Sequence, residues 1–144
     1  MAWYNEIDTV KKFPLGHRAK DTAGNEYIYL KGVASLVAED WVNWENDYAA
    51  IRLVANAKGP VGIAMSAFDA TTEFGWAGIY GNFAGDVTTG GDNGKVWATS
   101  TAGRVDNSDV AVDIVTNAIQ RSATASNSAT FQIAYPFCHN EVLN

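Results

Sequence analysis

The sequence is poor in the residues that build covalent or metal-linked frameworks. Its 144 residues include one cysteine, Cys138, and two histidines. A single cysteine excludes an internal disulfide and gives no sign of an oxidising compartment. Cys138 and the histidines do not stand at the spacing of a structural zinc site. We therefore expect no bound metal, and we expect Cys138 to be a small buried residue.

Long apolar runs and basic charge are also scarce. No stretch approaches the roughly 18 apolar residues of a membrane span, and residues 1–8 lack the basic and apolar regions of a secretory signal. Ten basic side chains stand against sixteen acidic ones, giving a formal charge of −6, which repels nucleic-acid phosphates. We expect a protein of intracellular origin that binds neither membranes nor nucleic acids.

The chain has few charged residues and many aromatic ones. Charged residues make up 18% of the chain and aromatic residues 12%, with five Trp. The folded surface should therefore expose uncharged and apolar area, as proteins that bind other polypeptides do. The first 14 residues carry Trp3, Tyr4 and Phe13 without an obvious hairpin partner. They either anchor on a partner or fold back as an extra edge strand on their own sheet.

Turn signals are abundant. The run Asp21-Thr-Ala-Gly-Asn25 separates two β-compatible stretches, because Asp and Asn can bond their own backbone and Gly24 tolerates a positive φ. Similar clusters recur at the intervals of a small all-β domain. Between them the sequence predicts strands at 26–33, 41–44, 50–54, 61–67, 76–84, 96–100, 110–120 and 129–137.

These patterns predict an all-β fold with at most one short helix, built as a compact small β-barrel or sandwich. The length suits one domain. We predict residues 1–14 as an N-terminal arm and residues 15–144 as a single β-rich domain. Residues 110–121 fit both a helical stripe and an alternating strand, and their β-branched side chains favour the strand.

Two strand patterns make finer predictions. Four large side chains of the last strand share one face, which we predict to be core: Phe131, Ile133, Tyr135 and Phe137. Pro136 should confine the end of that strand to a sheet edge or exit. In 61–67 and 76–84, small residues alternate with large ones, which predicts that another backbone approaches closely.

Known catalytic and nucleotide-binding motifs do not occur. There is no Gly-X-Ser-X-Gly nucleophile elbow. The run Gly90-Gly-Asp-Asn-Gly-Lys95 lacks the spacing of a phosphate-binding loop, and Val96 stands where a magnesium-binding hydroxyl is needed. We interpret this run as a turn and expect no cofactor.

The most enzyme-like cluster is Glu39-Asp40 beside Trp41 and Trp44. Two dispersed carboxylates could serve a small hydrolase, and Trp41, Trp44 or Trp76 could form the platform of a carbohydrate-binding module. Packing of Trp41 and Trp44 in a core or a subunit seam explains the same pattern, and we favour it. We assign no catalytic residue and expect a protein that is not an enzyme. The candidates for partner contacts are Trp3, Tyr4, Phe13, Trp41, Trp44, Trp76 and Tyr80.

Three segments carry a resemblance to a known family. They are residues 13–35 (FPLGHRAKDTAGNEYIYLKGVAS), 75–81 (GWAGIYG) and 131–137 (FQIAYPF). With them the chain resembles the capsid decoration, or cement, proteins of tailed bacteriophages. Residues before Phe13 lie outside the matched segments, so a role for them in gripping a shell is our own hypothesis.

The resemblance implies a structural protein of the virion. Such a protein is compact and β-rich, and it sits on the outer surface of the capsid after synthesis in the host cytoplasm. It commonly forms a homotrimer at three-fold or quasi-three-fold positions, where it clamps neighbouring capsomers of the expanded head. The implied partners are the major capsid protein and further copies of the chain itself, and no catalytic residues carry over.

Overall fold

Antiparallel β-structure dominates the computed structural model, which describes residues 2–110 and 112–139. One turn of 3-10 helix, Trp3–Asn5, precedes ten strands. They are β1 (Arg18–Lys20), β2 (Glu26–Lys31), β3 (Trp41–Trp44), β4 (Ala50–Arg52), β5 (Gly59–Ala64), β6 (Phe74–Asp86), β7 (Lys95–Ala98), β8 (Val105–Asp106), β9 (Ile114–Gln120) and β10 (Ser128–Cys138). The all-β prediction is confirmed, and each predicted strand overlaps an observed one. Within the described residues, no helix is long and apolar enough to cross a bilayer.

The strands form one curved, open sheet. Its order is β1-β2-β6-β5-β10-β9-β7-β8, with β3 on β5 and β4 on β3. The long strand β6 pairs with β2 and β5 along its first half and with β10 along its second. The far end of the sheet curls back, because Val105 of β8 bridges Val87, just after β6. The curl encloses a core although the ladder itself is not closed as in a barrel.

Two hydrophobic cores lie on opposite sides of β2. Successive side chains of a strand point to opposite faces, so Tyr27 and Tyr29 enter the core inside the curl, whereas Ile28 and Leu30 enter the second core. A strand that is buried on both faces needs apolar or aromatic residues at every position. This explains why β2 is predicted so readily from its sequence.

The turn before β2 forms by the predicted mechanism. Oδ1 of Asp21 accepts hydrogen bonds from the backbone N–H groups of Ala23 and Asn25, both at 2.9 Å. Gly24 has a φ of 89°, a conformation that glycine adopts without steric cost. The turn joins β1 to β2 in the antiparallel hairpin that this run predicts.

The predicted core face of β10 is right for its first half and wrong for its second. Phe131 and Ile133 are buried, but Tyr135 and Phe137 are exposed. Tyr135 has a φ of 53°, and the register against β9 shifts between Ile133 and Phe137. This bulge reverses the alternation of the strand beyond it. Pro136 lies in this bulge and not at a sheet edge. Because the bulge interrupts the ladder, the missing N–H of Pro136 costs no ladder hydrogen bond.

The ambiguous segment 110–121 is a strand in its second part. Residues Ile114–Gln120 form β9 between β10 and β7, so the strand alternative is confirmed there. Residue 111 lies outside the described residues. Asn117, near the middle of β9, has a φ of 60°, which marks a second irregularity beside that of β10.

Residues 2–14 fold back onto the sheet of their own domain. The backbones of Asp8 and Phe74 exchange two hydrogen bonds of 2.9 Å. The ring of Tyr4 stacks on that of Tyr27 with centroids 4.7 Å apart. Of the two alternatives for this segment, the structure therefore shows the fold-back, although a single bridge takes the place of a full edge strand.

Candidate protein interface

A sheet face whose exposed residues carry no charge lies on the second half of β6 and on the neighbouring strands β10 and β9. These three strands are neighbours in the sheet, and every exposed residue on them is uncharged. These residues, which we call the uncharged face, are Tyr80, Asn82, Ala84, Asn117, Ile119, Thr130, Gln132, Ala134, Tyr135 and Phe137. In a chain with a net charge of −6, this depletion of charge matches the composition of protein interfaces.

Large apolar groups stand out on the uncharged face. Tyr80 and Tyr135 are 45% and 47% exposed, and their ring centroids lie 5.5 Å apart. Ile119 and Phe137 are each 38% exposed. A cleft of about 450 Å³ runs between β9 and β10, and Lys95 is the one charged residue in its lining. The face thus combines aromatic anchors with a concave surface.

Polar contacts hold Tyr135 in position. Its hydroxyl donates a 2.5 Å hydrogen bond to Oε2 of Glu26, and the guanidinium of Arg18 lies 5.7 Å from the centre of its ring. The hydrogen bond to Glu26 raises the pKa of Tyr135. An aromatic side chain that is already fixed loses little conformational entropy when a partner covers it.

The structure separates the seven candidate contact residues into two groups. Trp41, Trp44 and Trp76 are 0%, 4% and 3% exposed, and the ring of Trp41 meets Phe131 edge-on at 4.9 Å. These three are core residues, as the packing alternative predicts for Trp41 and Trp44. They therefore offer no open ring face to a sugar, and their predicted place on an exposed contact surface is wrong, although part of Trp76 lines a small pocket beneath the N-terminal segment.

The remaining candidates lie at the surface. Tyr80 belongs to the uncharged face. Trp3 and Phe13 are 37% and 38% exposed, and both rings contact Trp76. Tyr4 is half-buried against the core. The sequence alone did not identify Tyr135 and Phe137 as surface residues, because their exposure depends on the bulge in β10.

The structure brings a third acid to the Glu39-Asp40 pair. Oδ2 of Asp40 accepts hydrogen bonds from Nε of Arg52 at 2.8 Å and from the backbone N–H of Val37 at 3.0 Å. Oδ1 of Asp40 is buried without a fixed donor, and the carboxyl group of Asp86 lies within hydrogen-bonding reach of Asp40. No sequence motif links Asp86 to Asp40, because β6 brings them together across the fold.

This acidic junction, formed by Glu39, Asp40 and Asp86, favours the protonated form of Asp86. Burial raises the pKa of Asp86 to about 7, and the hydrogen bond to Asp40 and repulsion by Asp40 and Glu39 act in the same direction. A protonated Asp86 can donate to the buried oxygen of Asp40, which satisfies it. Carboxyl pairs of this kind serve acid-base catalysis in some enzymes. Here, however, Asp40 is 1% exposed and paired with Arg52, which makes it a structural link between β3 and β4.

Within residues 2–110 and 112–139, no three His, Cys, Asp or Glu side chains are grouped so that they could hold a metal ion. Cys138 is buried, as expected, and burial raises the pKa of its thiol to about 12. No protein-family model, no curated protein and no solved structure matches the chain.

Proposed function

We propose that this protein is a non-enzymatic structural component of a phage virion. It binds the outside of the major capsid shell as a homotrimer at three-fold or quasi-three-fold positions, and it stabilises the expanded head by bridging capsomers. The observation that carries the proposal is the uncharged face of β6, β10 and β9. The resemblance of residues 13–35, 75–81 and 131–137 to decoration proteins supplies the identity of the partner.

The uncharged face suits burial against protein. Burying a charged side chain costs several kcal/mol unless it finds a partner, so charge is depleted where surfaces are to be covered. Tyr80, Tyr135 and Phe137 supply the aromatic area that dominates interface energetics. Asn82 and Gln132 between them can donate and accept hydrogen bonds across the contact. The segment 131–137, which carries part of the resemblance, contributes two of the aromatic residues.

A trimer on a shell would act through avidity and mass action. Once one subunit is bound, the contacts of its sister subunits become effectively intramolecular, so weak individual sites suffice. A protein that binds the assembled, expanded shell better than free capsid subunits shifts the equilibrium toward that state. No catalytic group is needed for this effect.

The test combines light scattering with co-sedimentation. The purified protein should be a trimer and should pellet with expanded heads. In the variant Gln132→Lys, a charge stands at the centre of the uncharged face without touching the core, and we expect trimer formation or head binding to weaken by at least about tenfold. Thr71→Lys, in an exposed loop, is the matched control and should behave as the wild type does. A monomer that ignores heads, or a Gln132→Lys protein indistinguishable from wild type, contradicts the proposal.

A further inference from the structure

A small pocket lies between the N-terminal segment and the sheet, away from the uncharged face. Its volume is about 170 Å³, which is room for roughly five or six waters and suits a single side chain. Three aromatic rings form its walls. The rings of Trp3 and Trp76 meet at 76° with centroids 5.0 Å apart, and those of Phe13 and Trp76 meet at 62° with centroids 5.4 Å apart. Because the ring planes are steeply inclined to each other, they form adjacent walls of the pocket.

Two carboxylates line the same pocket. Asp8 is 5% exposed, and one of its oxygens accepts a 2.6 Å hydrogen bond from the hydroxyl of Tyr29. Glu6 is the second carboxylate. Nζ of Lys12 lies 3.1 Å from Oδ1 of Asp8 and 3.6 Å from Oε2 of Glu6. The pocket therefore carries one net negative charge beside its aromatic walls.

We propose that this pocket binds a cationic side chain, lysine or arginine, of a partner protein. Cations are attracted to the faces of Trp and Phe rings, and the carboxylates of Glu6 and Asp8 add charge-assisted hydrogen bonds. An anion would be repelled by these carboxylates, and a neutral apolar group would remove them from water without compensation. That the cation belongs to a capsid subunit rests on the proposed function, whereas the chemistry of the pocket does not.

Lys12 occupies the acidic end of the pocket and acts as an internal competitor. Its ammonium group shows that a cation is accepted beside Asp8 and Glu6. The Lys12 side chain is 58% exposed, so it can swing into solvent when a partner's side chain enters. Its pair with Glu6 is exposed on both sides and worth little. Its pair with the buried Asp8 is replaced by the pair that the incoming cation makes, so a ligand that also meets the aromatic walls can displace Lys12.

Binding is tested with small probes, independently of any capsid. The probes are the Nα-acetyl methylamides of lysine and arginine, with that of norleucine as the neutral analogue. The indole N–H signals of Trp3 and Trp76 are followed by NMR. The two cationic probes should give saturable shifts of both signals, and norleucine should not. In Trp3→Leu, which removes one wall but keeps an apolar side chain, affinity should fall about two- to fivefold.

Matched lysine variants separate the pocket from general surface charge. Lys12→Met removes the internal competitor and should tighten binding of the lysine probe about threefold. Lys11→Met, its exposed neighbour, should leave affinity unchanged. Absence of saturable shifts, an equal response to norleucine, or binding that occurs only in Lys12→Met would each overturn the proposal. The protein can fail to bind heads and still bind these probes. The experiments therefore distinguish failure of the proposed capsid function from failure of the proposed cation pocket.

Discussion

Two strand positions in this fold have no room for any side chain and therefore require glycine. A Cβ atom at Gly78 would lie 2.6 Å from the ring of Phe83, and one at Gly62 would lie 2.8 Å from the carbonyl oxygen of Gly78. The predicted close approach of a backbone is confirmed at Gly62. At Gly78 an aromatic ring takes the same space. At both positions, neighbouring atoms of the sheet fill the space that a Cβ atom would need.

Replacing Gly78 should therefore be costly. We expect Gly78→Ala to lower the free energy of unfolding by about 2–3 kcal/mol, because the new methyl group forces Phe83 out of the core. Gly91 is the control, since a Cβ there meets nothing within 4 Å, and Gly91→Ala should change stability by less than about 0.5 kcal/mol. Urea unfolding measures both. Equal effects of the two substitutions would contradict this account of the packing.

The acidic junction makes stability depend on pH. The pKa of Asp86 is about 7 in the folded chain but about 4 in an unfolded one, so the folded state keeps a proton that the unfolded state releases. The stabilisation by Asp86 is therefore complete below about pH 4 and is lost as pH rises to about 7. Asp86→Asn keeps a donor toward Asp40 without titrating. It should be more stable than wild type by about 1–2 kcal/mol at pH 8, allowing for solvent screening, and equal to it at pH 3.5.

Urea unfolding across this pH range measures the difference between the two proteins. Asp69→Asn, at an exposed loop position, serves as control and should follow the wild-type profile. The outcome that contradicts this account is a constant difference in the free energy of unfolding between wild type and Asp86→Asn from pH 3.5 to 8. It would show that Asp86 is ionised in the folded chain.

Among the structural elements, the N-terminal segment differs most from its predicted role as an arm. It covers Tyr27 and Trp76, which are 1% and 3% exposed, and Asp8 holds it to Phe74 and Tyr29. It nevertheless adds only one bridge to the sheet. The segment is thus a cover over the core, and the strand ladder is complete without it.

Deleting residues 1–12 should weaken the fold without abolishing it. We expect the free energy of unfolding to fall by about 2–4 kcal/mol, because aromatic surface is exposed and the hydroxyl of Tyr29 loses its carboxylate partner. Circular dichroism should still show a β-sheet, and thermal unfolding should report the loss. An unchanged melting temperature would mean that the segment does not pack on the sheet in solution.

The sequence predicts those elements whose causes are local. The turn at Asp21 and the doubly buried strand β2 follow from residue types at fixed spacing, and the strand alternative for 114–120 follows from β-branching. The exposure of Tyr135 does not, because a positive φ at a tyrosine is imposed by the neighbouring strands. Asp86 could not be matched to Asp40 for a similar reason, since their contact depends on how the sheet curls.

At the scale of the whole molecule, attachment to a shell should appear as stability of the shell. Under the proposed function, expanded heads saturated with this protein should melt at a higher temperature than bare heads. At a free concentration of 100 times Kd, each bound site contributes about 2.7 kcal/mol. Differential scanning calorimetry measures the transition, and Gln132→Lys protein at the same concentration is the control. An unchanged transition at saturating wild-type protein would reject the stabilising role.

Strand β6 gives the molecule a mechanical property. Its 13 residues pair with β2 and β5 in one half of the sheet and with β10 in the other. A pull on either half is therefore transmitted along one uninterrupted backbone to the other. Under the proposed function, a load that passes from one half to the other along β6 would be carried by covalent bonds and not by ladder hydrogen bonds alone.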